Sequence, residues 1–250
     1  MAFVSKGFGK DRLNIIDVKK KKITKKFNFE FDGMLSPEFS SGDREIVFSG
    51  TRDGKTDLYI ADVLTEELEQ LTDDKYDDKE ADFSLDGQYI YFSSDRPAGG
   101  SAHDDTAFEY GKYNIFRLEL ESGDIAAITD TTGMNTDPAV SPDGKRICFV
   151  SDRNGIYNLY IKELETGEVY PITNALSGCF SPTWSPNGDQ IAFSGFRKAG
   201  FDIFLMKKIK PVETDEGGLK PTPFMAGDPS SMFVPSEFKT EAPDTVESIL

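Results

Sequence analysis

At 250 residues the chain is long enough for one large domain, and its 38% hydrophobic and 29% charged residues are those of an ordinary soluble globular protein. Its 28 Lys and Arg stand against 44 Asp and Glu, a formal charge of −16, and a field of that sign argues against nucleic acid as a partner. No run of 18 apolar residues is present to span a membrane, and Cys148 and Cys179 have neither CxxC spacing nor clustered histidines to make a zinc ribbon.

The chain opens on an apolar strand, Ala2-Phe3-Val4, without the apolar core of a signal peptide, so export is expected to be directed by sequence outside this stretch. A second strand, Arg12-Leu13-Asn14-Ile15, precedes the basic cluster Lys19, Lys20, Lys21, Lys22, Lys25 and Lys26, expected to decorate a solvated hairpin. Phe3 then recurs as Phe48, Phe92, Phe149 and Phe193, at separations of 45, 44, 57 and 44. Eight residues before each of the last four lies a serine, Ser40, Ser84, Ser141 or Ser185, opening Ser-Ser-Gly-Asp, Ser-Leu-Asp-Gly, Ser-Pro-Asp-Gly or Ser-Pro-Asn-Gly. Asp-Gly and Asn-Gly supply the positive φ of a tight hairpin. Nine residues after the phenylalanine a further strand begins, as in Asp57-Leu58-Tyr59-Ile60 and Asn158-Leu159-Tyr160-Ile161, and a last one ends in Leu71-Thr72 or Ile172-Thr173.

The long interval has a local cause. In the third unit Asn114-Ile115-Phe116 and Ile128-Thr129 are both displaced by 13 residues, which places an insertion of that size within residues 97–112 and leaves everything else in register. Each unit therefore reads as four short strands, A before the serine turn, B with the phenylalanine, C, and D ending in threonine. A period near 44 with four strands matches a propeller blade, and no 3.6-residue stripe survives the turns to support a helical solenoid. The expected fold is all-β, a β-propeller of four-stranded antiparallel blades with about 4.5 blades and 18 clear strands, an incomplete or open ring. The blades span 1–30 (partial), 36–72, 80–129, 137–173 and 181–206 (partial). Residues 207–250, rich in proline and acids, are expected to be a mostly disordered tail, with 219–222 as a degraded D strand demoted by its proline.

The unit that runs from Asp137 through Ser141-Pro142-Asp143-Gly144 and Phe149 to Asp152-Arg153 resembles the WD-like repeat of the TolB family, whose blades are shared with the gating propellers of prolyl-oligopeptidase-type peptidases. The resemblance covers roughly 1–206. It implies a fragment of a larger bacterial envelope protein that is periplasmic or otherwise extracytoplasmic, with envelope proteins as partners; the unpaired backbone groups of its open blade edges are expected to favour self-association. The chain departs from TolB in lacking its amino-terminal domain and its six blades, and from the peptidases in lacking a hydrolase domain.

Residues that would carry catalysis are sparse. His103 is the single histidine, and Gly99-Gly100-Ser101-Ala102-His103 lacks the closing glycine of a nucleophile elbow. No catalytic residue, metal site or cofactor is expected. The pairs Asp73-Asp74, Asp77-Asp78 and Asp104-Asp105 read as solvated loops, since no calcium-loop spacing accompanies them. Arg52, Arg96, Arg153 and Arg197 recur in register and are expected to cover the B–C loops and pair with carboxylates, and Trp184 is expected to pack in the core. The 13-residue insertion interrupts a B–C loop, on the blade end that also carries the D–A loops. His103, Asp104, Asp105, Phe108 and Tyr110 of the insertion, with Tyr76 and Met134 from D–A loops, form the candidate partner-binding set, because aromatic anchors beside charges suit interfaces. The plain alternative is a surface loop that tolerates extra length at little cost. The expected function is a non-enzymatic protein-interaction scaffold resembling TolB, with the substrate-gating propeller of a serine peptidase as the alternative.

Overall fold

The computed structural model describes residues 1–7, 10–98, 112–130, 132–214, 218–223, 225–226 and 246–249. Among them the regular structure is all strand, in five antiparallel sheets, each a run of sequence-consecutive strands. Blade one holds β1 (Ala2–Gly7), β2 (Lys10–Asp17) and β3 (Lys22–Lys26). Blade two holds β4 (Gly33–Phe39), β5 (Glu45–Arg52), β6 (Lys55–Asp62) and β7 (Leu68–Gln70). Blade three holds β8 (Asp78–Phe83), β9 (Tyr89–Ser94), β10 (Asn114–Glu119) and β11 (Ile125–Ala127). Blade four holds β12 (Asn135–Val140), β13 (Arg146–Ser151), β14 (Asn158–Glu163) and β15 (Val169–Pro171). Blade five holds β16 (Cys179–Trp184), β17 (Ile191–Arg197), β18 (Gly200–Met206) and β19 (Val246–Ile249). The chain divides into two compact units, Met1–Thr131 with blades one to three and Thr132–Leu250 with blades four and five.

Each recurrent residue has one job inside its blade. The turn serine accepts the N–H that reopens strand B, Tyr89 N to Ser84 Oγ at 2.9 Å and Arg146 N to Ser141 Oγ at 2.9 Å, while Gly87 and Gly144 both take φ 69°. The phenylalanine faces a ring on strand C: Phe48 with Tyr59 at 5.9 Å, Phe92 with Phe116 at 6.1 Å, Phe149 with Tyr160 at 6.0 Å and Phe193 with Phe204 at 5.6 Å. These are direct cross-strand partners, the pairs that stabilise a sheet most. The threonine that ends strand D accepts a strand-C N–H on its hydroxyl and so prolongs the ladder by one bond: Leu58 N to Thr72, Ile115 N to Thr129, Leu159 N to Thr173.

Successive blades within a unit share their cores. Val47 and Leu58 of blade two pack with Phe83, Ile90 and Phe92 of blade three, and Cys148, Val150 and Leu159 of blade four pack with Cys179, Ile191 and Phe193 of blade five. Strand B is consequently buried on both faces, as in the Ile-Cys-Phe-Val-Ser of β13, rather than alternating. Trp184 is half-buried, and its Nε1 donates to Ala139 O at 2.9 Å, tying blade five to blade four.

The structure departs from the sequence-based expectations at four places. Strand A begins two residues early, at Asp78, Asn135 and Cys179, because it contains a bulge whose residue has positive φ: Ser36, Glu80, Asp137 and Ser181, at 48° to 57°. The fourth strand of blade five is Val246–Ile249, antiparallel to β18, and residues 219–222 form no strand. The segment after β18 is also fastened rather than free, since Val212 N donates to Pro171 O and Thr222 N to Asn154 O, each at 2.8 Å. The basic hairpin is exposed as expected save at Lys25, which reaches Glu66 at 3.0 Å in blade two.

Candidate functional site

In the first unit the loop between β7 and β8 meets the base of the insertion. Asp95 Oδ1 accepts Asp77 N at 2.9 Å, and burial raises the Asp95 carboxyl. Arg96 Nη2 bonds Asp78 Oδ2 at 2.6 Å and Asp74 Oδ2 at 3.1 Å, while its Nε donates to Ser94 Oγ at 2.8 Å. Asp78 is fully buried, and that burial pushes its carboxyl up to about 6 in spite of the guanidinium. Tyr76 is half-buried, with the Arg96 guanidinium 5.5 Å and the Lys75 ammonium 5.4 Å from its ring centre. Tyr113 stands immediately before β10, at the other end of the insertion. Its phenol is pushed up to about 12 by burial and by the charges of Asp77, Asp95 and Glu80, and Lys79 lies 4.0 Å from its ring centre.

Three of the four recurrent arginines, Arg52, Arg96 and Arg153, lie over rings. Arg52 lies 5.6 Å from the Tyr59 ring, Arg96 5.4 Å from Phe92 and 5.5 Å from Phe116, and Arg153 4.5 Å from Tyr160. Arg96 makes the expected carboxylate pairs, Arg153 donates to Asn135 Oδ1 and Ser151 Oγ, and Arg52 donates to Glu30 O. Stacking on the ring pair holds each planar guanidinium at the loop end of its blade.

In the second unit Met134 stands beside the β13–β14 loop. Its N donates to Asp152 Oδ1 at 2.7 Å, its O accepts Asp152 N at 3.3 Å, and Tyr157 OH lies 3.9 Å from its sulfur. Tyr157, Phe180, Phe201 and Phe196 then form a chain of ring contacts at 5.3, 6.0 and 5.4 Å, whose last two rings are exposed.

Of the expected partner-binding residues, Tyr76 and Met134 are thus placed, each on a loop cluster of its own unit. His103, Asp104, Asp105, Phe108 and Tyr110 lie outside the described residues. Tyr113, Asn154 and Gly155 lie outside the set the sequence points to. A ring directly after the insertion was the one sequence signal available for Tyr113. No cluster of three His, Cys, Asp or Glu among the described residues has the geometry to hold a metal ion, and no helix among them is long and apolar enough to cross a membrane.

Sheets of four antiparallel strands at this period, joined through ring-bearing B strands, define propeller blades. Residues 105–214 match the family model of the TolB beta propeller domain, so the resemblance read from the Ser-Pro-Asp-Gly unit stands for that stretch. Among curated proteins the chain is 27% identical over 113 residues to an uncharacterized protein of Agrobacterium fabrum, covering 45% of this chain and 34% of that one. It is 34% identical over 65 residues to the Tol-Pal system protein TolB of Francisella tularensis, covering 26% and 12%. The chain therefore spans about a third or less of the curated relatives it matches. Among solved structures, TolB of Acinetobacter baumannii superposes with a TM-score of 0.71 at 22% identity, over 84% of this chain and 51% of that one. A puromycin-hydrolyzing peptidase of Mycobacterium tuberculosis gives 0.55 at 12% identity, over 80% and 32%. At these identities the structural likeness establishes the fold.

Proposed function

We propose that the chain is a non-enzymatic, TolB-like interaction scaffold of the cell envelope that presents the insertion and its neighbouring loops to a protein partner. The observation that carries this reading is the base of the insertion. Asp95, Arg96 and Tyr113 are fastened to Asp74, Asp77 and Asp78 by charged hydrogen bonds and ion pairs on strands that keep their register. A long loop on a rigid base is the usual carrier of recognition. Tyr76, held over Arg96, and Met134 are proposed contacts, with His103, Asp104, Asp105, Phe108 and Tyr110. The likeness to TolB supports an extracytoplasmic location.

Deleting residues 98–110 tests the proposal. The expected result is a folded protein, by circular dichroism and urea denaturation, that no longer captures the partner retained by the intact chain from an envelope extract. Unchanged capture would move the site elsewhere. The peptidase likeness supports a second reading, a gating propeller, and a Gly-x-Ser-x-Gly elbow encoded in continuous sequence with this chain would favour it.

A further inference from the structure

The segment that follows β18 does something blade five does not require. It leaves its own blade, passes Ile209 into the core shared by blades four and five, and lies against blade four, where Val212 N bonds Pro171 O at the outer strand. Ten residues on, Thr222 N bonds Asn154 O in the β13–β14 loop.

That loop is preformed. Asp152 is held by Met134 from both sides, Gly155 N donates to Asp152 O, and Asn158 Nδ2 donates to Asn154 Oδ1 and Ile156 O. The Asn154 side chain is thus engaged within the loop, and its carbonyl receives the incoming N–H. Gly155 takes φ 92°, and a Cβ there would overlap Thr222 Oγ1 and stand 2.6 Å from Met225 Cγ. The loop glycine of blade two, Gly54 at φ 79°, has nothing within 4 Å of the same point. Both turns need glycine for their backbone, but only at Gly155 does another segment fill the space the missing side chain leaves.

The occupant is Lys220-Pro221-Thr222-Pro223, followed by a turn in which Ala226 N bonds Thr222 O at 2.9 Å. Proline has no N–H, so Thr222 holds the single backbone donor of the Pro-Thr-Pro run. Each proline also biases the residue before it away from helical angles, so the run is extended before it docks and loses little entropy on doing so.

We propose that the β13–β14 loop of blade four is a docking site for an extended Pro-Thr-Pro segment, which this chain fills with its own residues 220–223, so that a partner bearing such a segment binds by displacing them. The displacement in trans rests on the interaction-scaffold reading above; the contact in cis does not. A tethered occupant acts at an effective concentration on the order of mM, so an added peptide meets a strong internal competitor.

Thr222→Pro in the full chain removes the donor and leaves the blades untouched. A fluorescent peptide of residues 218–226 is titrated by polarisation against both proteins, with amide exchange of residues 153–157 followed in parallel. The expected result is binding ~10-fold or more tighter to T222P than to the wild type, faster exchange of the loop in T222P, and its reversal by saturating peptide. The same peptide with proline at the threonine is expected not to bind. Equal affinity for the two proteins, no binding to T222P, or loop exchange unchanged by the substitution would overturn the proposal. Peptide binding confined to T222P supports the docking site whatever the outcome of the 98–110 deletion, so the two readings fail separately.

Discussion

At the first position of strand C, blades three and four carry Asn114 and Asn158. Each accepts the hydroxyl of the strand-end threonine on Oδ1, at 3.0 Å from Thr129 or Thr173, and donates Nδ2 to the carbonyl two residues back. Blade two places Asp57 in that slot. A carboxylate has no N–H to give; Oδ2 accepts from Gln70 at 3.3 Å, and Oδ1 is buried with no hydrogen-bond partner. Burial, then the charges of Asp73 and Asp74, outweigh Lys55 and push Asp57 up to about 6 from its ordinary 3.8. A raised folded value means that the group stabilises the fold most below about pH 3.8, and that this contribution is lost as the pH rises through about 6. Asp57→Asn, which restores the slot's usual residue, is therefore expected to raise the unfolding free energy at pH 7.5 by ~1 kcal/mol after allowing for solvent screening. Most of that gain should vanish near pH 4. Urea denaturation at the two pH values checks this, and a loss of stability at pH 7.5 would count against it.

At the scale of elements, the joint between β13 and β16 is built partly from thiols. Cys148 and Cys179 lie in one apolar core, at 0% and 4% exposure, and both are free. Burial raises the Cys148 thiol far above its ordinary range and the Cys179 thiol to about 11, so neither forms the thiolate that reacts. Both thiols are expected to resist Ellman's reagent at pH 8 in the folded protein and to titrate together in concentrated guanidinium. A thiol that reacts at once under native conditions would show this blade joint to be open. How much of such elements was legible varies with the reach of the interaction. The Phe column, the serine turn and the closing threonine act within one blade, and each was readable from spacing. The strand-A bulge was not, because Ser36, Glu80, Asp137 and Ser181 are of three different residue types, and their positive φ follows from the pairing of strand A with strand B. Tyr113 is not legible for a similar reason, since its neighbours Asp77 and Glu80 come from another strand and the loop before it.

For the whole molecule the governing quantity is charge. A formal −16 over 250 residues opposes compaction by self-repulsion, and the basic residues are partly segregated in the β2–β3 hairpin. Raising NaCl from ~0.01 to ~0.2 M shortens the screening length several-fold and is expected to raise the melting temperature by a few degrees. A melting temperature that falls with salt would mean that attractive ion pairs such as Arg96 with Asp74 and Asp78 outweigh the repulsion.

The sequence by itself determined the blade, its period, the number of blades and the place of the insertion, because every signal involved acts over at most one blade length. The side-chain alternation, the φ of an Asp-Gly turn and the hydroxyl of Thr173 need only neighbours that the repeat itself supplies. Only the tertiary structure decided where residues 207–214 and 218–223 lie, that Val246–Ile249 completes blade five, and which carboxylates lose water. Those outcomes depend on residues far apart in the chain, Thr222 with Asn154 or Asp78 with Arg96. Burial is set by the partner that arrives, and a local pattern of polar and proline residues does not name that partner.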